Sequence, residues 1–122
     1  MISGTVTDRE AVVRLTVRGP GGEQAVDAVV DTGFTEQLTL PPETIATLDL
    51  SRLRESRALL ADGSEITFDI YEAVVHRGDE WCRIPVAEAD STPLIGMGLL
   101  EGCEVRIEVR EGGRVTAEPL SE

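Results

Sequence analysis

The strongest candidate for chemistry in this chain is Asp31-Thr32-Gly33, which closes an apolar run of Val26, Ala28, Val29 and Val30. An ionised carboxylate is costly to bury unless it is paired or hydrogen-bonded, so an acid at the end of an apolar strand needs a reason. Gly33 lets the backbone turn sharply where a residue with a Cβ would be strained. The Thr32 hydroxyl can hydrogen-bond nearby backbone and hold such a loop closed. The outcome is one carboxylate, Asp31, on a rigid loop. The same residues also make an ordinary turn, and a tripeptide this short is a weak motif by itself.

Other reactive side chains have plainer readings. Cys82 and Cys103 are far apart in the sequence, and in an apparently cytoplasmic chain both are read as reduced thiols. With one histidine, His76, and no matching ligand spacing, neither a metal site nor a cofactor is expected. His76 falls at a hairpin end and reads as solvated. Trp81 reads as core or dimer surface, and Glu101, Glu104 and Glu108 as a solvated face.

Composition limits the partners. The net charge is −12, and all eleven basic residues are arginine. Phosphate would be repelled, so neither nucleic acid nor an anionic membrane is expected as a partner. Hydrophobic residues at 41% and charged residues at 28% suit a soluble globular chain. Its 122 residues suffice for one domain with its own core but not for two. Met1 to Glu10 has no apolar signal region, and no apolar run approaches a membrane span. A cytoplasmic location is the expectation.

The elements that must position Asp31 are mostly extended. Ile2 to Thr7 reads as a first strand. Ala11 to Arg18 alternates, with Val13, Leu15 and Val17 on one face. Gly19 to Gly22 turns the chain, and Glu23 begins the strand that leads to Asp31. Gln37 to Leu40 is a brief extended segment. Pro41-Pro42-Glu43 starts a helix of about two turns over Thr44 to Leu48. Arg52 to Leu60 and Glu65 to Val75 form a hairpin around Ala61-Asp62-Gly63-Ser64, where Asp-Gly is a strong hairpin signal. Ile66, Phe68 and Ile70 make one face of its second arm apolar. A turn at Arg77 to Glu80 precedes a strand from Trp81 to Ala87. Leu94-Ile95-Gly96 leads into a short helical turn that Gly102 closes. Glu104 to Arg110 reads as a strand with Val105, Ile107 and Val109 on one face, and a Gly112-Gly113 turn leads to a last strand, Arg114 to Ala117. Many short strands with frequent turns mean an all-β barrel or sandwich.

In this arrangement the chain resembles the retropepsin-like (clan AA) aspartic proteases, in particular the small bacterial single-domain type. The resemblance rests on three parts in order: Val30-Asp31-Thr32-Gly33 for the catalytic loop, Leu60-Ala61-Asp62-Gly63-Ser64 for the flap, and Leu94-Ile95-Gly96 with the short helix after it. It implies a closed acid-protease barrel with one or two short helices, a single domain over residues 1–122, one lobe per chain, and a two-fold homodimer. It also implies catalytic roles for Asp31, Thr32 and Gly33, and substrate binding by Phe34, Thr35, Ala61, Asp62, Gly63 and Ser64. Peptide hydrolysis without a metal or covalent nucleophile needs one carboxylate as base and a second acid for the carbonyl oxygen. The chain has a single Asp-Thr-Gly, so the second acid is expected from a partner's Asp31. Chain termini forming an intersubunit sheet would cover exposed strand edges.

Three positions depart from the retroviral pattern. Phe34 replaces a small residue, Thr35 replaces an acid, and Met97 replaces the arginine that pairs with that acid. The two members of the ion pair are absent together, as in an apolar replacement. Phe34 has two open readings, as the lining of a substrate pocket or as core. The leading expectation is a homodimeric aspartic endopeptidase acting on peptides or proteins. The alternatives are a non-catalytic dimeric peptide- or protein-binding module of the same fold, and an acidic β-barrel scaffold in which Asp-Thr-Gly is only a turn.

Overall fold

Alternation of apolar and polar residues makes strands here, and short Pro- and Gly-bounded apolar segments make the two helices. The structure is a computed structural model that describes residues 1–121. Its order is β1 (Ile2–Thr7), β2 (Glu10–Gly19), β3 (Gly22–Val30), β4 (Leu38–Leu40), α1 (Pro42–Thr47), β5 (Ser51–Leu59), β6 (Glu65–Arg77), β7 (Glu80–Glu88), β8 (Leu94–Ile95), α2 (Met97–Leu100), β9 (Cys103–Ile107) and β10 (Arg114–Pro119). The chain is mostly β, with 60% of it in strands and 8% in helices.

The strands join in the order β5-β6-β7-β4-β8-β3-β2-β1-β10-β9, and β2 also pairs with β6 through Val17 with Val75 and Arg18 with Val74. Two ladders are parallel, β3 with β8 and β4 with β7. Both join strands distant in sequence, and the first places β8 beside the end of β3. The apolar face of β2, with Val13, Leu15 and Val17, is buried as its alternation implies. It packs in one core with residues such as Ala28, Val75, Val86, Ile95 and Leu99, each fully buried.

Several element boundaries differ from the sequence expectation by a residue or more, and two of them have a clear physical cause. The first helix starts at Pro42, within the Pro41-Pro42-Glu43 start that the sequence signals, and ends at Thr47, one residue before Leu48. Pro41 is its extended N-cap and Pro42 occupies its first turn, where the missing N–H would have had no partner. It ends early because Asp49 turns left-handed, with φ 52°. Strand β9 ends at Ile107 and does not reach Arg110. Arg110 N–H donates to the Glu108 carbonyl and Gly113 N–H to the Arg110 carbonyl, so the chain has already turned by Glu108. A side chain at Gly113 would overlap the Glu108 carbonyl, which makes glycine necessary for that turn. Val109, grouped by periodicity with a strand face, is 79% exposed.

Candidate functional site

Asp31 leaves β3 at the point where β8 lies alongside. Val29 pairs with Leu94 and Val30 with Ile95, and the Asp31 N–H extends this ladder to the Ile95 carbonyl at 2.9 Å. The carboxylate accepts a hydrogen bond from the Gly33 N–H at 2.9 Å on Oδ1, and Phe34 N–H donates to the Asp31 carbonyl at 3.1 Å. Asp31 is half-buried, whereas Thr32 and Gly33 are exposed.

The segment after Asp31 is laced to the segment beneath it. Gly96 N–H donates to Gln37 O at 3.0 Å, Met97 N–H to Phe34 O at 2.8 Å, and Gly98 N–H to Glu36 O at 3.1 Å. Leu94 N–H donates to the buried Thr39 hydroxyl at 2.9 Å. These bonds cross from residues 34–39 to residues 94–98, so the loop that carries Asp31 rests on Leu94-Ile95-Gly96 and α2. Gly96 is required for close approach: its backbone is extended, but a Cβ would overlap the Glu36 carbonyl and lie 2.6 Å from Phe34 Cδ2.

Two expectations about this loop change. The Thr32 hydroxyl makes no hydrogen bond among the described residues; the loop is closed by the Asp31 carboxylate and by backbone bonds. Gly33 is not in the left-handed region. A Cβ there would meet only Asp31 Oδ1, at 3.3 Å, so what glycine spares is a close contact with the carboxylate, not backbone strain.

The hairpin of β5 and β6 rises opposite this loop. Its end is closed by Leu60 N–H to Ser64 O at 2.8 Å and Gly63 N–H to Leu60 O at 3.0 Å. Gly63 has φ 87°, in the left-handed region that side chains avoid. Asp62 Oδ1 accepts from the Ser64 hydroxyl at 2.6 Å and the Ser64 amide at 2.9 Å. Those bonds, the hydroxyl first, hold the Asp62 carboxyl below the usual carboxylate range. Asp62 therefore serves the turn.

Between hairpin and loop lies a cavity of about 600 Å³. Phe34 and Leu38 line it from one side, Phe68 and Ile70 from the hairpin, and Ala87 from β7. Phe34 is half-buried, lies close to Gly96 and lines the cavity, and it is not part of the main core. Ala61, Asp62, Gly63 and Ser64 are exposed at the hairpin end and do not line it. Thr35 lines a separate hollow with Met97, Gly98 and Cys103. Sequence reading missed Leu38, Arg54 and Ala87 as lining residues. The Ile66-Phe68-Ile70 alternation was the available signal, because Ile66 is 45% exposed and Phe68 half-buried on a face that periodicity marks as apolar. Among the described residues no group of three or more His, Cys, Asp or Glu side chains could hold a metal ion.

No protein-family model and no curated protein matches the chain. Solved structures do, two proteases among them. The chain is similar to EIAV protease, solved in complex with the inhibitor HBY-793, at TM-score 0.56 and 14% identity, over 79% of this chain and 92% of that one. It is also similar to a retropepsin-like aspartic protease from Rickettsia conorii, at TM-score 0.56 and 19% identity, over 98% of this chain and 94% of that one. A carboxylate at the end of β3, a crossing segment beneath it and a long hairpin opposite therefore stand in a framework shared with both over most of its length: this chain has the retropepsin-like aspartic protease fold.

Proposed function

We propose that this chain is one half of a two-fold homodimeric aspartic endopeptidase. Each chain would contribute one lobe, a closed barrel whose β2–β6 ladder joins its two sides, and one Asp31. The observation that carries this reading is the Asp31 carboxylate in this fold, half-buried on a loop laced from beneath, whose following residues Phe34, Glu36 and Leu38 line the cavity under the hairpin although Asp31 itself does not.

In this reading the two Asp31 carboxylates meet across the two-fold axis. Like charges that close cannot both ionise, so the pair shares one proton and titrates as a unit. The ionised member takes a proton from water as the water attacks the scissile carbonyl, and the protonated member donates to the carbonyl oxygen. Gly33 N–H, already bonded to Asp31 Oδ1, fixes the carboxylate's rotation. The hairpin around Ala61-Asp62-Gly63-Ser64 acts as the flap that excludes water. The apolar cavity lined by Phe34, Leu38 and Phe68 accepts substrate side chains.

The test is Asp31→Asn, which is nearly isosteric but can neither share the proton nor act as a base. Peptide hydrolysis should fall at least about 10³-fold while circular dichroism and dimer content stay unchanged. Excess Asp31→Asn chain should also poison the parent protein, with residual activity tracking the fraction of parent–parent dimers. If the Asp31→Asn protein cleaves peptides as fast as the parent, the reading fails. If it binds extended peptides that neither protein cleaves, the fold serves as a binding module.

A further inference from the structure

A cationic side chain lines the cavity under the hairpin, and the strand that carries it is bulged at that point. On β5, Arg52 lies opposite Tyr71 of β6 and Arg54 opposite Ile70, so Leu53 between them is an extra residue with no partner. Leu53 is 47% exposed. In a regular strand, residues two apart share a face. Here the extra residue divides Arg52 from Arg54. The first falls in a row with Tyr71 and Val86, the second in a row with Ile70 and Ala87. Bulges beside active sites re-aim side chains in this way. Arg54, Ile70 and Ala87 all line the cavity, and Arg52 does not.

The arginines of this strand differ in their partners. Arg52 donates to Asp69 at 3.0 Å, and Arg57, which also lines the cavity, lies 3.8 Å from Glu65. Among the described residues Arg54 has neither an ion pair nor a side-chain hydrogen bond. Around it the cavity is walled by Leu38, Phe68, Ile70 and Ala87. Two acids line the cavity as well, Glu36 and Glu88, and neither pairs with Arg54. Glu88 is shared with a neighbouring hollow, where Glu55, Asp69 and Asp90 join it. A guanidinium is a planar fork of five N–H donors that matches a carboxylate. The chain's own acids leave those donors unused.

We propose that Arg54 is a specificity-determining residue, selecting substrates with an acidic side chain at the one position that fills this cavity. This inference rests on the reading above, in which the cavity accepts substrate side chains. The methylenes of a substrate glutamate pack on Leu38, Phe68 and Ile70, and its carboxylate meets the Arg54 guanidinium in a bidentate pair. Closure of the hairpin over a peptide removes water from that pair and strengthens it. A glutamine fills the same space but gives up the charge-assisted bonds. A lysine brings its charge against Arg54. At a net charge of −12 the protein as a whole repels acidic peptides. The preference is therefore local, and acidic residues at other substrate positions gain nothing.

The test uses a peptide set in which Glu, Gln or Lys occupies one position at a time around the scissile bond. At one position the parent protein should cleave the Glu peptide with a kcat/KM about tenfold or more above that of the Gln peptide. Arg54→Met should bring that ratio to about one. Arg54→Lys should retain part of it, as a point charge without the fork, and Arg54→Glu should favour Lys over Gln instead. The ratio is the readout because any loss of folding or turnover common to both peptides cancels from it. Calorimetry with the Asp31→Asn protein measures binding of the same peptides without cleavage, and Kd should show the same preference. A parent protein that cleaves peptides with no Arg54-dependent Glu preference overturns the role of Arg54 and leaves the endopeptidase standing. So does a preference for Lys at that position, which would assign the cavity to Glu36. Glu peptides that are bound in an Arg54-dependent way but cleaved by neither protein support the role of Arg54 and refute the endopeptidase. Peptides neither bound nor cleaved overturn both.

Discussion

Replacing Gly96 by alanine tests whether the Asp31 loop is held from beneath. The backbone at Gly96 is extended, with φ −100° and ψ 176°, so alanine costs nothing in dihedral terms. The cost is steric. The added methyl would overlap Glu36 O and lie 2.7 Å from Phe34 O and 2.6 Å from Phe34 Cδ2. The ring carbon can move, but the two carbonyls accept hydrogen bonds from Gly98 and Met97 and are fixed by them. Overpacking a tight contact costs about 1–3 kcal/mol, and loosening one of these bonds adds about 1 kcal/mol, for a total of roughly 2–4 kcal/mol. Unfolding entropy is about 2.1 cal/mol/K per residue, so over 122 residues the melting temperature should fall by roughly 8–15 °C. Asp31 follows the loop, and under the proposed function, in which its carboxylate is the catalytic group, a displacement near 1 Å costs about 10²-fold in rate. Circular dichroism melts and peptide kinetics read the two losses. Gly33→Ala is the control, since its methyl meets only Asp31 Oδ1 at 3.3 Å, and its melting temperature should stay within about 3 °C of the parent. If Gly96→Ala melts with the parent, or if Gly33→Ala melts below Gly96→Ala, the loop is not supported as described.

Gly63→Val forces a β-branched residue to φ 87° at the exposed hairpin end, a strain of about 1–3 kcal/mol; peptide turnover should fall by a larger factor than folding stability, and equal losses would mark the hairpin end as an ordinary turn. For Ser64→Ala, the Asp62 carboxyl is held below its ordinary value first by the Ser64 hydroxyl and then by the Ser64 amide. The folded value lies below the unfolded one, so the contribution of this turn is complete above the unfolded pKa and is lost as pH falls through the folded one. Removing the hydroxyl should raise the Asp62 pKa and move the acid-side loosening of the turn to higher pH. A carboxyl-carbon NMR titration that places Asp62 identically in both proteins would refute this account.

Local chemistry was readable in the sequence wherever it is set by residues close together in the chain. The period-two run of Val13, Leu15 and Val17 could bury only as a strand, and all three are core. Asp-Gly at positions 62 and 63 marks a hairpin, and the φ of Gly63 shows why glycine is there. What could not be read depends on segments brought together from far apart. Leu38 lines the cavity because β4 runs parallel to β7, pairing Leu38 with Val86, and nothing near Leu38 announces that partner. Gly33 fits the usual reading of a turn glycine, yet its contact is with the carboxylate before it. The left-handed Asp49 that ends α1 had no preceding signal, because an acid there is also at home in a helix or a loop.

Glu104 and Glu108 read from sequence as a solvated face, and in the single chain that reading is correct, since both are exposed. Periodicity extends the strand to Arg110, but the turn at Glu108, closed by Arg110 N–H to the Glu108 carbonyl and by the tight placement of Gly113, ends β9 at Ile107. Where that turn falls depends on a glycine several residues further on, which alternation of apolar residues does not register.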